Sequence, residues 1–286
     1  GYTRSNKSHI NKSVAQAIQA QVALVQGNWT LAASSANAAR QGYSFMTTAQ
    51  HALGYNDYNN PENLWSSHVQ EDQTLYFYSF YAFMSHNFNA TAIRQSPKSI
   101  NKELFDQITA TDVRKTFFYP TAVADKKPEV PPSGVRYNYM NSKFKAVAVS
   151  DSRGDFPWIR VAEMYLIEAE ALARQANKQT EAQDVLYILA KDRDPQYVKS
   201  TKTGDALIEE ILVQRRIELW AEGRSWTDLK RLNRALVRPQ SNNAGGGLHV
   251  ASICLVTDVP AGDVRWQWFI PKEELNANPK IKQNPA

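Results

Sequence analysis

Cys254 is the only cysteine among the 286 residues, which excludes a disulfide framework and any cysteine-based metal site. Its neighbours Ile253 and Leu255 point to a buried thiol, and no histidine stands beside it to make a nucleophile. Long hydrophobic runs are missing too. The longest, Leu75 to Met84, is broken by Ser79 and several tyrosines and falls short of the ~20 apolar residues that span a bilayer. Gly1 to Lys7 is polar and has no apolar signal-peptide core. The five histidines, His9, His51, His68, His86 and His249, fall in neither HExxH nor any paired-ligand spacing, so no metal and no cofactor is expected. GxSxG, GxxxxGK and a GxGxxG after a strand are also missing, and Gly245 to Gly247 reads as a plain loop. Nothing in these patterns nominates an enzyme.

What is there is a globular composition. Hydrophobic residues make up 43% and aromatics 11%, enough for a sizeable core at this length. The net charge of +5 is modest. Arg215-Arg216 and Lys230-Arg231 lie beside acids rather than in a solvated basic run, so nucleic acid is not implied.

The stretch Asp205 to Leu236 organises the rest. Leu207, Ile208, Ile211, Leu212 and Leu219 recur at three- and four-residue steps, the stripe that a helix needs to bury one face. Glu218 and Glu222, Arg224 and Asp228, and Asp228 and Arg231 stand one helical turn apart. Gly223 falls among them, where a continuous helix would lose about 1 kcal/mol relative to alanine, so two helices hinged near Gly223 are expected. The charges read either as an ion-paired, partly buried network or as a carboxylate dyad. A dyad needs two acids flanking an open cleft about 5 to 10 Å apart, and arginines at every turn favour the network.

Elsewhere, Val14, Ala15, Ile18, Val22 and Val25 repeat with helical spacing up to Gly27, and Leu31, Ala32, Ala36 and Ala39 follow. The pair reads as a helical hairpin, its small alanines allowing close packing, similar to a tetratricopeptide unit. Turn residues follow in GYNDYNNPEN, and LWSSHV alternates like a strand. Six aromatics then crowd Tyr76 to Phe83, either as core or as a stacking platform whose flat faces and polar edges suit sugar rings. Ile100 to Phe118 carries a short helical stretch, and Lys126 to Gly134, with three prolines, reads as a surface loop. Asp155 to Lys178 is a strong amphipathic pattern with Pro157 near its first turn, and Thr180 to Asp192 makes its partner helix. Glu163 and Glu170 sit about two turns apart, which suggests a glycosidase pair, but a structural partner such as Arg160 is the stronger expectation. Ser241 to Gly247 is a flexible loop.

Three strings carry a family resemblance. RRIELWAEGRSWTDLKRLNR resembles the signature helix pair of SusD/RagB-like proteins through Glu218-Leu219, Glu222-Gly223, Asp228-Leu229 and Lys230-Arg231. It departs at Gln214, where glutamate is usual, and at Arg224, which follows Gly223 directly. IRVAEMYLIEAEALAR matches the family's helix through Arg160, Ala162, Glu163, Tyr165, Leu166, Ala169 and Glu170, and the tail matches through Ile270-Pro271, Glu274, Asn276 to Pro279 and Gln283 to Pro285. In DVRKTFFYP the resemblance makes Asp112 and Arg114 a structural pair.

The resemblance implies a mainly α fold of tetratricopeptide-like hairpins with an irregular, loop-rich subdomain and a few short strands. It implies one domain over 1–286, with a hairpin at 10–41, a ligand-facing region at 42–154, hairpins at 155–236 and a tail at 237–286. The function implied is non-enzymatic capture of glycans at the outer membrane and their delivery to a SusC-like TonB-dependent transporter. Membrane attachment would come through an N-terminal lipid anchor outside this sequence, which looks like the C-terminal larger part of such a protein. Candidate ligand contacts are Tyr55, Tyr58, Tyr76, Tyr78 and Tyr81, with Trp65 and the Tyr137-Asn138-Tyr139 run behind them. Glu218, Glu222, Arg224, Asp228 and Arg231 are expected to form the structural network. The rival readings are a peptide-binding helical scaffold and, less favoured, a glycoside hydrolase.

Overall fold

The computed structural model describes residues 3–73, 75–119, 130–131, 133–134, 137–241, 247–252 and 254–284. Most of the expected loops at Lys126 to Gly134 and Ser241 to Gly247 lie outside the described residues, as does Ile253.

Eleven helices and eight short strands appear among the described residues. The chain opens with α1 (Lys12–Gln26) and α2 (Trp29–Arg40). Asn11 and Asn28 cap them by accepting the backbone N–H of Val14 and Leu31, which satisfies donors that a helix start leaves unpaired. Gly27, at φ 72°, closes α1 in the left-handed conformation. Buried Ala17, Ala20 and Ala23 meet Ala32, Ala36 and Ala39, so the two helices approach closely.

A loop-rich region follows. It holds α3 (Thr48–His51), β1 (Asn63–Ser66), α4 (Phe80–Met84), α5 (Thr91–Gln95), α6 (Lys102–Phe105), β2 (Phe118–Tyr119) and β3 (Met140–Asn141). Its own core gathers Met46, Tyr55, Tyr81, Phe88, Ile100, Phe117 and Phe144.

The expectation of a helix starting near Pro157 is corrected here. Pro157–Arg160 is a strand, β4, antiparallel to β1, and α7 runs from Val161 to Ala173. The Val161 N–H donates to the Glu62 carbonyl, so pairing with β1 holds the chain extended until one residue before the helix. α7 is buried on nearly every side, as a central helix must be. It packs on α2 through Val161, Met164 and Ile167 and on α8 (Gln179–Arg193) and α9 (Gly204–Glu218) through Ala162, Leu166 and Ala169.

α9 stops at Glu218, and Ala221 (φ 60°) and Gly223 (φ 80°) turn the chain into α10 (Arg224–Arg231). The expected break at Gly223 is therefore a left-handed turn that glycine adopts without strain. The tail adds β5 (Leu236–Val237), β6 (Gln240–Ser241), β7 (His249–Val250), β8 (Asp258–Val259) and α11 (Lys272–Ala277). Cys254 is half-buried rather than buried, because this segment forms only two-residue strands at the surface and adjoining Leu255 is 97% exposed.

Candidate functional site

A cavity of about 640 Å³ opens where the aromatic segment, β4 and the α9–α10 turn converge. Its walls include Tyr78, Phe80, Tyr81, Phe156 and Trp158, with Ser67, Gln73, Ser79, Ser152 and Arg153 as polar groups and Ala221 to Arg224 along one side. Local structure sets each ring. Residues 76–78 form a single tight turn that leaves Tyr78 83% exposed. In β4, Pro157 and Ile159 turn inward while Trp158 between them stays 49% exposed, the alternation that a pleated strand imposes; Arg160, the last residue before α7, is buried as well. Phe156 stands edge-on to Trp158, with ring centroids 5.1 Å apart, and Phe80 lies 4.4 Å from Phe156. The result is an apolar cleft with exposed rings at its edge and a few hydrogen-bonding groups, the make-up of a small-molecule site.

Tyr81 forms the floor. It is 1% exposed, and its hydroxyl donates toward the carbonyls of Tyr55 (2.8 Å) and Asp155 (3.0 Å). Gly154 lies against the ring, where an added Cβ would come within 2.4 Å. Tyr55 is deeper still, 3% exposed, with its hydroxyl 2.8 Å from His51 Nδ1. Neither ring offers a free face, so both belong to the core beneath the cavity. Tyr76 is exposed beside the cavity without lining it. Tyr58 is half-buried, its ring 4.0 Å from that of His68 and its N–H donating to Asp155 Oδ2. Trp65, half-buried in β1, donates its indole N–H to the Ser8 carbonyl and sits 6.2 Å from the Trp158 ring. Tyr137 and Asn138 line a separate cavity with Lys98 and His249. Trp158, Phe156 and Arg153 were not singled out from sequence. No local alternation marks them: Phe156 to Ile159 is a continuous apolar run that reads equally well as the start of a helix.

Behind this cavity lies a dense buried ion network. Arg160 donates to Glu62 (2.6 Å), Glu218 (2.9 Å) and Glu222 (2.6 Å). Arg193 bridges Glu62 and Glu218, Lys143 meets Glu222 at 2.6 Å, and Arg114 joins Asp112 to Glu218. Burial pushes the Glu218 carboxyl up, but Arg193, Arg160 and Arg114 outweigh it and hold it well below the usual carboxylate range. Glu222 is lowered too, burial being opposed by Arg160 and Lys143. It is the one carboxylate among the described lining residues, and two cations hold it ionised.

A second network ties α7 to α10. Arg215 bonds Asp228 (2.8 Å) and Glu163 (3.3 Å), Arg224 bonds Glu163 (2.9 Å), and Arg231 bonds Asp228 and Glu170. The expected partnership of Arg160 with Glu163 and Glu170 is thus corrected: Arg160 sits in β4, before the helix, and turns into the other network. Arg224 likewise pairs with Glu163 rather than with Asp228 one turn on. Among the described residues, no three His, Cys, Asp or Glu side chains are grouped to hold a metal ion.

This mainly helical fold, with paired helices behind a loop-rich face, is that of SusD-like proteins. Residues 19–286 match the model of the SusD family, and the chain belongs to that family. A SusD-like protein of Formosa agariphila is 37% identical over 154 residues, covering 50% of this chain and 27% of the relative. Among solved structures, a SusD-like carbohydrate binding protein from Bacteroides vulgatus superposes with a TM-score of 0.81 at 22% identity, covering 98% of this chain and 61% of that one. A surface glycan-binding protein from Bacteroides thetaiotaomicron superposes with a TM-score of 0.66 at 14% identity, covering 100% and 66%. The chain therefore spans about a quarter of the curated relative's length and about three-fifths of the first solved structure's.

Proposed function

We propose that the protein binds glycans without cleaving them, in the cavity edged by Tyr78 and Trp158. The observation that carries this reading is the pair of exposed rings beside a cavity of about 640 Å³ with serine, glutamine and arginine groups around it. A sugar ring lays its apolar face on an aromatic ring and turns its hydroxyls to polar side chains. Relatives bearing the names carbohydrate binding and glycan-binding point the same way. In this proposal the ligand is an oligo- or polysaccharide captured at the outer membrane by an outward-facing lipoprotein and passed to a SusC-like TonB-dependent transporter. No described helix is long and apolar enough to cross a membrane. A hydrolase would need two carboxylates with separated pKa values across the cavity, and Glu222 alone, held ionised, does not supply them.

A glycan array followed by calorimetry tests the assignment. Trp158→Ala and Tyr78→Ala should each weaken the best oligosaccharide by roughly five- to tenfold, since a stacked ring contributes about 1 kcal/mol. Unchanged affinity in both variants removes the site, and release of reducing ends from arrayed glycans removes the binding-only class. Saturable binding of extended peptides with no response to any sugar favours the peptide scaffold instead.

A further inference from the structure

The aromatic cavity carries charge as well as rings. Its charged lining residues are Arg153, Arg224 and Glu222. The Glu222 side chain is 6% exposed and is held by Lys143 and Arg160, each at 2.6 Å, so its negative charge is already matched by two buried cations. The acids that pair with the two arginines are not part of the wall: Asp151 takes Arg153, and buried Glu163 takes Arg224. A ligand in the cavity therefore meets guanidinium groups whose partner acids stand outside the lining.

Arg153 is the better placed of the two. Arg224 also borders two neighbouring cavities, and Arg153 borders neither. The Asp151 carboxylate accepts from both the backbone N–H and the Nε of Arg153, which fixes the guanidinium by one edge. Its other end, Nη1 and Nη2, is not buried and has no acceptor among the described residues. The same group lies within electrostatic reach of Glu71 and Tyr76, in the segment that supplies Gln73, Leu75 and Tyr78 to the cavity wall, and this sets the open end on the cavity side. Such an end offers two parallel N–H groups, a fork that fits a carboxylate or a sulfate and bonds it more strongly than a neutral hydroxyl. Because Asp151 holds the fork in advance, less ordering is needed on binding. On the reading that this cavity binds glycans, we propose that the glycan it takes is acidic. A uronic-acid carboxylate or a sulfate ester accepts from Arg153 Nη1 and Nη2 while a sugar ring stacks on Tyr78 or Trp158. Glu71, exposed in the same segment, repels that anion and tempers its affinity.

The test puts matched pairs on a glycan array. Oligogalacturonate and alginate oligosaccharides stand beside their carboxyl-reduced neutral forms, and sulfated galactan oligosaccharides beside their desulfated forms. The best pair goes to calorimetry on the whole chain at constant ionic strength. The acidic member is expected to bind about tenfold more tightly than its neutral counterpart, as hydrogen bonds to a charged group allow. Arg153→Gln should bring that ratio down to about twofold or less, and Arg153→Lys, which keeps the charge but not the fork, should leave an intermediate ratio. Glu71→Gln should raise the affinity of the acidic member by about twofold, a gain that a merely structural role for Arg153 does not produce. A preference within the uronic pairs identifies a carboxylate and one within the sulfated pairs a sulfate ester, and either supports the proposal. Equal binding of both members in every pair overturns it, as does a preference that survives Arg153→Gln with circular dichroism unchanged. Should that variant misfold, an undiminished ratio in Arg153→Lys overturns it instead. If neutral glycans bind as well as acidic ones and Trp158→Ala still weakens them, the acidic ligand falls and the glycan-binding reading stands; if no glycan of any kind binds, both fall.

Discussion

Replacing Glu218 by glutamine tests the account of what holds the scaffold behind the aromatic cavity. Its carboxylate accepts from Arg160 at 2.9 Å, Arg193 at 3.1 Å and Arg114 at 3.4 Å, and all four side chains are at most 1% exposed. The substitution keeps the volume and one acceptor oxygen but removes the negative charge shared by three buried guanidinium groups. Arg160 retains Glu62 and Glu222, Arg193 retains Glu62 and Asp192, and Arg114 retains Asp112 and Gln214. Four buried cations, Arg114, Lys143, Arg160 and Arg193, then share three buried carboxylates, Asp112, Glu62 and Glu222, since Asp192 is 37% exposed, and breaking a buried pair in this way costs roughly 3 to 5 kcal/mol. Because the amide oxygen still accepts one bond, the lower end, about 3 kcal/mol, is the expected loss. Converted at roughly 2 to 4 °C per kcal/mol for a chain of this size, that is a fall of roughly 6 to 12 °C in Tm. Differential scanning calorimetry measures it against Glu181→Gln, which removes one partner of an exposed pair with Lys178 and should leave the midpoint where it was. Equal midpoints in the two variants would refute the claim that the network carries the junction of α8, α9 and β4.

Gly154→Ala should destabilise the protein by about 1 to 3 kcal/mol in urea titration, as overpacking does, because the Tyr81 ring it would strike is anchored by its hydroxyl. A smaller effect would mean that the ring is free to move. His51 is buried and close to Arg193, which lowers its pKa from 6.5 to about 4. The unfolded chain takes up that proton below 6.5 and the folded one only near 4, so stability is lost as the pH falls through this window. From pH 7 to pH 4.5 the loss from this group is roughly 2 to 3 kcal/mol. His51→Gln should flatten that part of the urea-midpoint profile, and identical slopes would contradict the assignment. Below it, the lowered Glu62, Glu218 and Glu222 carboxyls add stability above the ordinary carboxylate pKa that disappears as the pH falls through their folded values. The acid limb of Glu218→Gln should accordingly be shallower than that of the parent chain.

The helical scaffold was legible because its signals are local. Period-3.6 apolar residues in α1, α2 and α9 and the glycine breaks at Gly27 and Gly223 each report a neighbourhood of a few residues. β4 was not, since Pro157–Arg160 is extended only through its pairing with β1, about a hundred residues away in the chain. That one long-range pairing explains the two readings that failed together. It displaced the helix start to Val161, and it sent Arg160 into the Glu62, Glu218 and Glu222 network instead of toward Glu163. The aromatic run shows the same limit. Composition cannot tell Tyr81, locked by two carbonyls, from Tyr78 three residues earlier and open to water, because one sits in α4 facing the core and the other in the turn before it. Trp158 escaped notice for want of any local sign that its strand neighbours face inward.

The central claim is that a rigid helical backing presents the Tyr78 and Trp158 rings to a sugar. Its most direct measurement is a crystal structure with the tightest oligosaccharide from the array bound. The account predicts an intact glycan in the cavity of about 640 Å³, one ring stacked on Trp158 or Tyr78 and hydroxyls on Ser152, Arg153 or Gln73. A glycan bound elsewhere, or a cleaved one in this cavity, would contradict it.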